Sequence, residues 1–301
     1  MAEIETGRPM TQGTITQGIG SFYTVRTREG ETFTLRAQKK LRRARLSPLP
    51  GDEVLFVPPE DGEQGWIETI LPRKTVCLRP PVANVEVLVI VVAPEPEPDL
   101  LLVDRQITRA FAQGMRVLLV VNKCDLEEGL ADELEAEYAS AEIPVFPIAA
   151  LEGRGLQPLK EAMGGTLCCF SGQSGAGKST TLNALLSLRL ETGDLSRKIA
   201  RGKNTTRSAV LLEGAGLRVM DTAGFSLLEA ERNLAPETLK ERYPDFAPYE
   251  GKCRFHQCLH DSEPGCAVAE AVARGLIHPA RWRRYRTLLA EARENWKNRY
   301  N

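Results

Sequence analysis

A chain of 301 residues, 42% apolar and 26% charged, has the composition of an ordinary globular protein long enough for two or three domains. A formal charge of −1 excludes a partner held by bulk charge alone, and the longest apolar run, Val85 to Ala93, is about half of a membrane span and carries Glu86. The stretch from Met1 to Gly7 lacks the basic and apolar segments of a secretory signal, and seven cysteines, an odd number, fit a reducing compartment, so a cytoplasmic location is expected.

Short alternating apolar segments open the chain. Residues 14–19, 22–27, 32–37, 53–57 and 66–70 read as five strands, separated by turn signals such as Gly20-Ser21 and Pro50-Gly51-Asp52. Five strands in so short a span predict a small barrel of the OB-fold type. Within it, Arg36 to Arg45 holds six basic residues and no acid, which suits either a solvated loop or an RNA contact. Leu71 to Lys74 reads as a linker.

Beyond it, strands alternate with helices. Val85–Val92 is a β-branched, buried strand, Leu100–Gln113 an amphipathic helix, Val117–Val121 a strand, Glu127–Ala141 a helix and Val145–Ile148 a strand. This alternation predicts a parallel α/β sheet with its ligand site at the carboxyl ends of the strands. The strand over 117–121 runs into Asn122, Lys123, Cys124 and Asp125, an N-K-x-D motif. A carboxylate at Asp125 accepts from N1–H and the exocyclic amine of guanine; adenine offers an acceptor at N1 and cannot make that pair. Asn122 and Asp125 are therefore expected to hold the base.

The phosphate loop follows. Gly172, Gln173, Ser174, Gly175, Ala176, Gly177, Lys178 and Ser179, with Thr180 behind, fit G-x-x-x-x-G-K-[ST] between a strand at 166–170 and a helix at 180–186. The glycines let successive N–H groups turn onto a triphosphate, Lys178 sets a positive charge on the β/γ oxygens, and the Ser179 hydroxyl suits Mg²⁺. Polar residues 198–208 form a candidate switch in which Thr205 or Thr206 completes the Mg²⁺ shell. Strand 217–220 ends in Asp221-Thr-Ala-Gly224, a D-x-x-G pattern that brings Asp221 to Mg²⁺ and the Gly224 N–H to the γ-phosphate.

Near the C-terminus, Cys253, Cys258, His260 and Cys266 fall within fourteen residues. Three thiolates and an imidazole suit tetrahedral zinc, and four protein ligands leave no open position, so the site is expected to be structural, with His256 the rival nitrogen ligand. Because the ligands come from one short segment, nucleotide binding is expected to survive loss of the metal. Residues 266–275 and 279–301 read as helices, and Arg281-Trp-Arg-Arg-Tyr-Arg286 interleaves basic and aromatic residues as an RNA-contacting helix or a docked one would.

In an ordinary small GTPase the P-loop precedes D-x-x-G and N-K-x-D comes late. Here N-K-x-D (122–125) comes first, then the P-loop (172–179), Thr205/Thr206 and D-x-x-G (221–224). With the C-terminal cluster, this order resembles the circularly permuted GTPases, and among them the ribosome small subunit-dependent GTPases, bacterial assembly factors. The resemblance spans the whole chain. It implies an α/β fold in which a circularly permuted P-loop GTPase domain (75–232) is flanked by an OB-fold barrel (1–74) and a zinc-binding, mostly helical domain (233–301). It implies one structural Zn²⁺, Mg²⁺ with GTP, and GTP hydrolysis stimulated by the small ribosomal subunit and its rRNA, by a monomer with no membrane contact. Three positions depart from the family pattern: Asn204 replaces a histidine, Ala223 a proline, and Ala149 a serine of the second guanine loop. With Phe225 after Gly224, no residue is evident to orient the attacking water. Slow intrinsic hydrolysis follows, or a GTP-dependent RNA-binding switch with negligible turnover.

Overall fold

The computed structural model describes residues 8–60, 63–78, 81–127, 129–187, 209–222 and 234–299. The expectations at Asn204, Thr205, Thr206, Ala223, Gly224 and Phe225 lie outside them. The chain divides into two compact units, one of residues 1–88, 160–170 and 179–226, the other of 89–159, 171–178 and 227–301.

In the first unit, β1 (Thr11–Ile19), β2 (Phe22–Thr27), β3 (Thr32–Ala37), β4 (Glu53–Val57) and β5 (Trp66–Ile70) match the five expected strands. β1 pairs antiparallel with β2 and β4, β2 with β3, and β4 with β5, while β3 and β5 run parallel. The ring closes in the order 1-2-3-5-4-1, the five-stranded Greek-key barrel of an OB-fold. Strand alternation sends Ile15, Val25, Leu35, Val54, Phe56 and Ile67 into one buried core. A bulge between Ile15 and Gln17 bends β1 where it must serve two partners.

The basic run is not simply a loop. Lys39–Arg43 forms α1, whose Leu41 is buried in the barrel core while Lys39 and Arg43 are exposed. Lys40 pairs with the buried carboxylate of Glu68, which also accepts from Gln38 Nε2 at 2.6 Å and Trp66 Nε1 at 2.8 Å. The expected linker is likewise tied down. Arg73 forks onto Asp52 with two bonds of 2.7 Å, and a small hairpin of β6 (Val76–Leu78) and β7 (Pro81–Ala83) follows within the same unit. Farther along the chain, β11 (Leu167–Ser171) runs parallel to β13 (Leu217–Thr222), β13 forms a hairpin with β12 (Ala209–Gly214), and β12 meets β1 at Gln17↔Val210.

In the second unit, β8 (Val87–Val92), buried along its whole length, neighbours β9 (Arg116–Asn122), which runs parallel to β10 (Val145–Ile148). α2 (Leu100–Ala112) and α3 (Gly129–Tyr138) connect them, and α4 (Leu156–Met163) follows. Asp99 caps α2, its Oδ1 accepting from Leu102 N at 2.9 Å. The C-terminal segment has 3₁₀ turns at Pro236–Thr238, Lys240–Arg242 and Pro244–Tyr249, where prolines forbid a longer α-helix. Then come α6 (Ala267–Ala273) and α7 (Pro279–Lys297). Tyr243, Phe246 and Tyr285 form an aromatic core with centroids 4.7–5.2 Å apart, and Leu101 of α2 packs on the same cluster. Among the described residues no helix is long and apolar enough to cross a membrane.

Asp52 is fully buried and takes the Arg73 fork as well as Leu49 N–H at 2.7 Å. Asp52→Ala should destabilise the barrel by about 3 kcal/mol, the lower end for a broken buried pair, because Arg73 still reaches water. Urea unfolding followed by tryptophan fluorescence checks this; an unchanged midpoint would remove the pair from the stability account.

Candidate functional site

β11 delivers the chain into the phosphate loop at Ser171, and α5 (Lys178–Leu186) carries it away. Gly172 has φ 130°, and a Cβ there would lie 2.0 Å from Val91 O. Gly177 has φ 91°, and its Cβ would lie 2.1 Å from Asn122 Nδ2. Both positions thus need glycine for two reasons, backbone angle and contact. Lys178 curls back over the loop, its Nζ donating to Gly172 O at 2.6 Å and Gln173 O at 2.7 Å. Burial lowers its pKa below the ordinary lysine value, and an anion beside it would favour the charged form. Gln173 fastens the loop to the start of α2: Nε2 donates to Glu97 O at 3.2 Å and Oε1 accepts from Asp99 N at 2.8 Å.

The base loop leaves β9 next door. Asn122 is 3% exposed. Its Nδ2 donates to Ala176 O in the phosphate loop at 3.0 Å, and its Oδ1 accepts from Ala150 N at 3.1 Å. One carboxamide therefore joins three loops. Lys123 takes a left-handed conformation, φ 61°, and donates to Glu95 O at 2.6 Å. Cys124 N donates to Ile148 O and Leu126 N to Lys123 O, which closes a turn that leaves Asp125 exposed. Ala149 N–H is committed to Arg154 O.

The four expected metal ligands converge. The donor atoms of Cys253, Cys258, His260 and Cys266 all lie within 4.8 Å of one another. His260 Nδ1 is 3.6 Å from Cys253 Sγ and 3.4 Å from Cys266 Sγ. A tetrahedral zinc with Zn–S of about 2.3 Å and Zn–N of about 2.0 Å sets neighbouring donors ~3.5–3.8 Å apart, so the group fits. Burial pushes the Cys258 thiol up to about 12 and raises that of Cys266, while it lowers the pKa of His260. The imidazole is then neutral and has a lone pair to offer, and a bound cation would displace the protons that burial keeps on Cys258 and Cys266. Backbone N–H groups already point at the sulfurs: His260 N at Cys258, Ala267 N at Cys253 and Ala269 N at Cys266, at 3.3–3.5 Å. His256 is exposed and outside the cluster.

A guanine-type loop that precedes the phosphate loop in the chain, yet is bonded to it through Asn122, is the mark of a permuted GTPase. The family model of the RsgA GTPase matches residues 70–231, and that of the RsgA N-terminal domain residues 12–67. The chain belongs to the RsgA GTPase family. A relative named small ribosomal subunit biogenesis GTPase RsgA, from Ruminiclostridium cellulolyticum, is 42% identical over 281 residues, 92% of each chain. Another of that name, from Caldanaerobacter subterraneus subsp. tengcongensis, is 39% identical over 95% or more of both chains, 96% of this one and 98% of its own. The crystal structure of YjeQ from Thermotoga maritima is 31% identical with a TM-score of 0.79, covering 94% of this chain and 99% of its own. YloQ, a circularly permuted GTPase, shares the fold with a TM-score of 0.79 at 24% identity, over 97% and 98% of the two chains.

Within the chain, the structure brings together Gly172–Lys178 with Asn122–Asp125, and Cys253, Cys258, His260 and Cys266 with one another. Ser179 and Thr180 occupy the first turn of α5, and Asp221 lies near the end of β13, paired with Val210. Of the four cysteines in or beside strands, Cys77, Cys168 and Cys169 are buried core residues while Cys124 is only half-buried, and burial pushes Cys77 up to about 12. The run from 281 to 286 is largely docked. Arg281 is 1% exposed and paired to Asp104 and Asp245, and Arg284 pairs with Asp104 and Glu137. Arg283 and Arg286 remain on the surface, the latter paired with Asp261. Sequence reading missed the side-chain role of Gln173 and the acceptors of Arg281, since residues 36 to 177 positions apart pair without a local signature.

Asn122→Ala would strip Ala176 O and Ala150 N–H of their partner, at about 1–3 kcal/mol each. Guanine nucleotide affinity should fall by at least about tenfold, since about 1.4 kcal/mol is tenfold. Titration with a fluorescent GDP checks it; parental affinity would show that the three loops hold their places without this carboxamide.

Proposed function

We propose that the protein is a GTP hydrolase acting in the cytoplasm as a biogenesis factor of the small ribosomal subunit, with its turnover stimulated by that subunit. The observation that carries the reading is the bonding of the N-K-x-D loop to the phosphate loop through Asn122, together with relatives named for that role. Asp125 is exposed at the tip of its turn, where its carboxylate would accept from guanine. The N–H groups of Ala149 and Ala150 are committed within the protein, so one for the guanine carbonyl has to come from beyond them.

Lys178 would neutralise the β/γ oxygens, and the backbone N–H groups from Gly172 to Thr180 would line the phosphates. Ser179, Asp221 and either Thr205 or Thr206 would hold Mg²⁺, which offsets charge developing on the transferred group. The Gly224 N–H would address the γ-phosphate. Cys253, Cys258, His260 and Cys266 would hold one structural Zn²⁺. Neither Phe225 nor Asn204 can serve as a strong base, so water positioning falls to a partner.

For RNA contact, the exposed cations of the barrel, Lys39, Arg43 and Arg45, are better placed than the docked arginines of α7. GTP turnover measured with and without purified small subunits tests the whole reading. Basal turnover should be slow and the subunit should raise it by orders of magnitude, as partner-supplied groups do by about 10³–10⁵. Stimulation should fall with added salt, and neutralising Lys39, Arg43 and Arg45 to glutamine should weaken it while basal turnover stays. Turnover that the subunit never stimulates at any salt would contradict the ribosomal reading, and no turnover with or without subunits would contradict the hydrolase reading. GTP-dependent binding to the subunit without turnover would then establish the switch module instead.

A further inference from the structure

The spacing of the metal ligands makes the C-terminal cluster look like a self-contained module. The helix that follows it is not self-contained. One face of α7 grips the metal loop: Trp282 Nε1 donates to His260 O at 2.7 Å, Tyr285 Oη donates to Leu259 O, and Arg286 and Arg293 pair with Asp261 at 2.7 and 2.8 Å. The other face grips α2 and α3. Arg281 donates to Asp104 of α2 and, at 2.7 Å, to Asp245; Arg284 donates to Asp104 at 2.6 Å and to Glu137 of α3. Tyr138 adds a third bond to Asp104 at 2.8 Å. Burial opposes the charge of Arg281, but Asp104 and Asp245 more than offset this and hold its pKa above the ordinary arginine value.

α2 starts at the phosphate loop. Its cap residue, Asp99, donates its backbone N–H to the Gln173 side chain at 2.8 Å. A continuous series of bonds thus runs from the metal loop through α7, Arg281, Asp104 and the α2 cap to Gln173. Buried charge pairs have few alternative geometries, because an unpaired charge there is costly. A shift of α7 is therefore passed to α2 instead of being absorbed between them.

We propose that α7 couples the metal centre to the nucleotide site, with Arg281 and Arg284 as positioning residues, so that zinc and guanine nucleotide each strengthen the other's binding. The proposal rests on the GTP reading above and deepens it by adding a second ligand to the same equilibrium. It replaces the expectation that nucleotide binding ignores the metal. Zinc holds the loop that presents the Leu259 and His260 carbonyls; with the four donors released, Trp282 and Tyr285 lose their fixed acceptors and the grip on α2 loosens. Thermodynamic reciprocity then requires that nucleotide raise zinc affinity by the same factor.

The test uses the full chain, fluorescent GDP, and a zinc-selective chelator with Mg²⁺ in excess. Removing zinc should weaken GDP binding by about fivefold or more, the lower range of coupling between linked sites, and GDP should tighten zinc by the same factor in competition with the chelator. Gln173→Ala cuts the last side-chain link and leaves the loop backbone in place, so only the zinc-dependent ratio is read, and it should collapse towards one. Arg281→Met should do the same where it folds, and Gln173→Ala carries the test where it does not. GDP affinity within twofold with and without zinc overturns the coupling alone. So does an equal loss in parent and Gln173→Ala, the result of general unfolding on chelation. A zinc-loaded parent that binds no GDP overturns the nucleotide reading and the coupling together.

Discussion

The candidate nucleotide site depends on the carboxamide of Asn122, which holds residues 28 and 54 positions away in the chain. It is the last residue of β9 and is buried, so its donor and acceptor need partners inside the protein. The phosphate loop provides one in Ala176 O and the next loop the other in Ala150 N–H. This geometry also dictates a glycine. A Cβ at Gly177 would occupy the space of Asn122 Nδ2, so the motif glycine and the motif asparagine are one requirement seen from two sides.

That bonding explains why the order of motifs is free to change. The loops meet at the ends of strands, and the hydrogen bonds between them are indifferent to which loop the ribosome synthesises first. The RsgA GTPase family puts the base-reading half before the phosphate loop, and the C-terminal segment then packs on α2 and α3 of that same half. Here the buried ion pairs of Arg281 and Arg284 fix register. Such pairs add little net stability over an apolar core, and the arrangement of α7 on two helices is what they specify.

Much of this was legible in the sequence. The five barrel strands show apolar alternation and clear turns, and β10 spans the expected residues 145–148. The P-loop, N-K-x-D and the Cys₃His group were legible because their chemistry fixes spacing over a few residues. What was not legible has long-range causes. α1 hides in a run of charge, with Leu41 as its one inward signal. β12 holds its place by pairing with β13 and β1. The docked state of Arg281 depends on Asp104 and Asp245, 177 and 36 positions away. A basic–aromatic run looks the same whether its acceptors are RNA phosphates or carboxylates of the same chain.

The central claim is that this permuted site reads guanine through Asp125. The direct measurement is a titration of Asp125→Asn with GTP and with XTP. Replacing the acceptor by a donor should weaken GTP binding by about 2–4 kcal/mol, the scale of a charged hydrogen bond lost and a mismatched one gained. Xanthine, which carries a carbonyl where guanine carries its amine, should become the preferred base. GTP affinity equal to that of the parent, with no gain for XTP, would contradict the account.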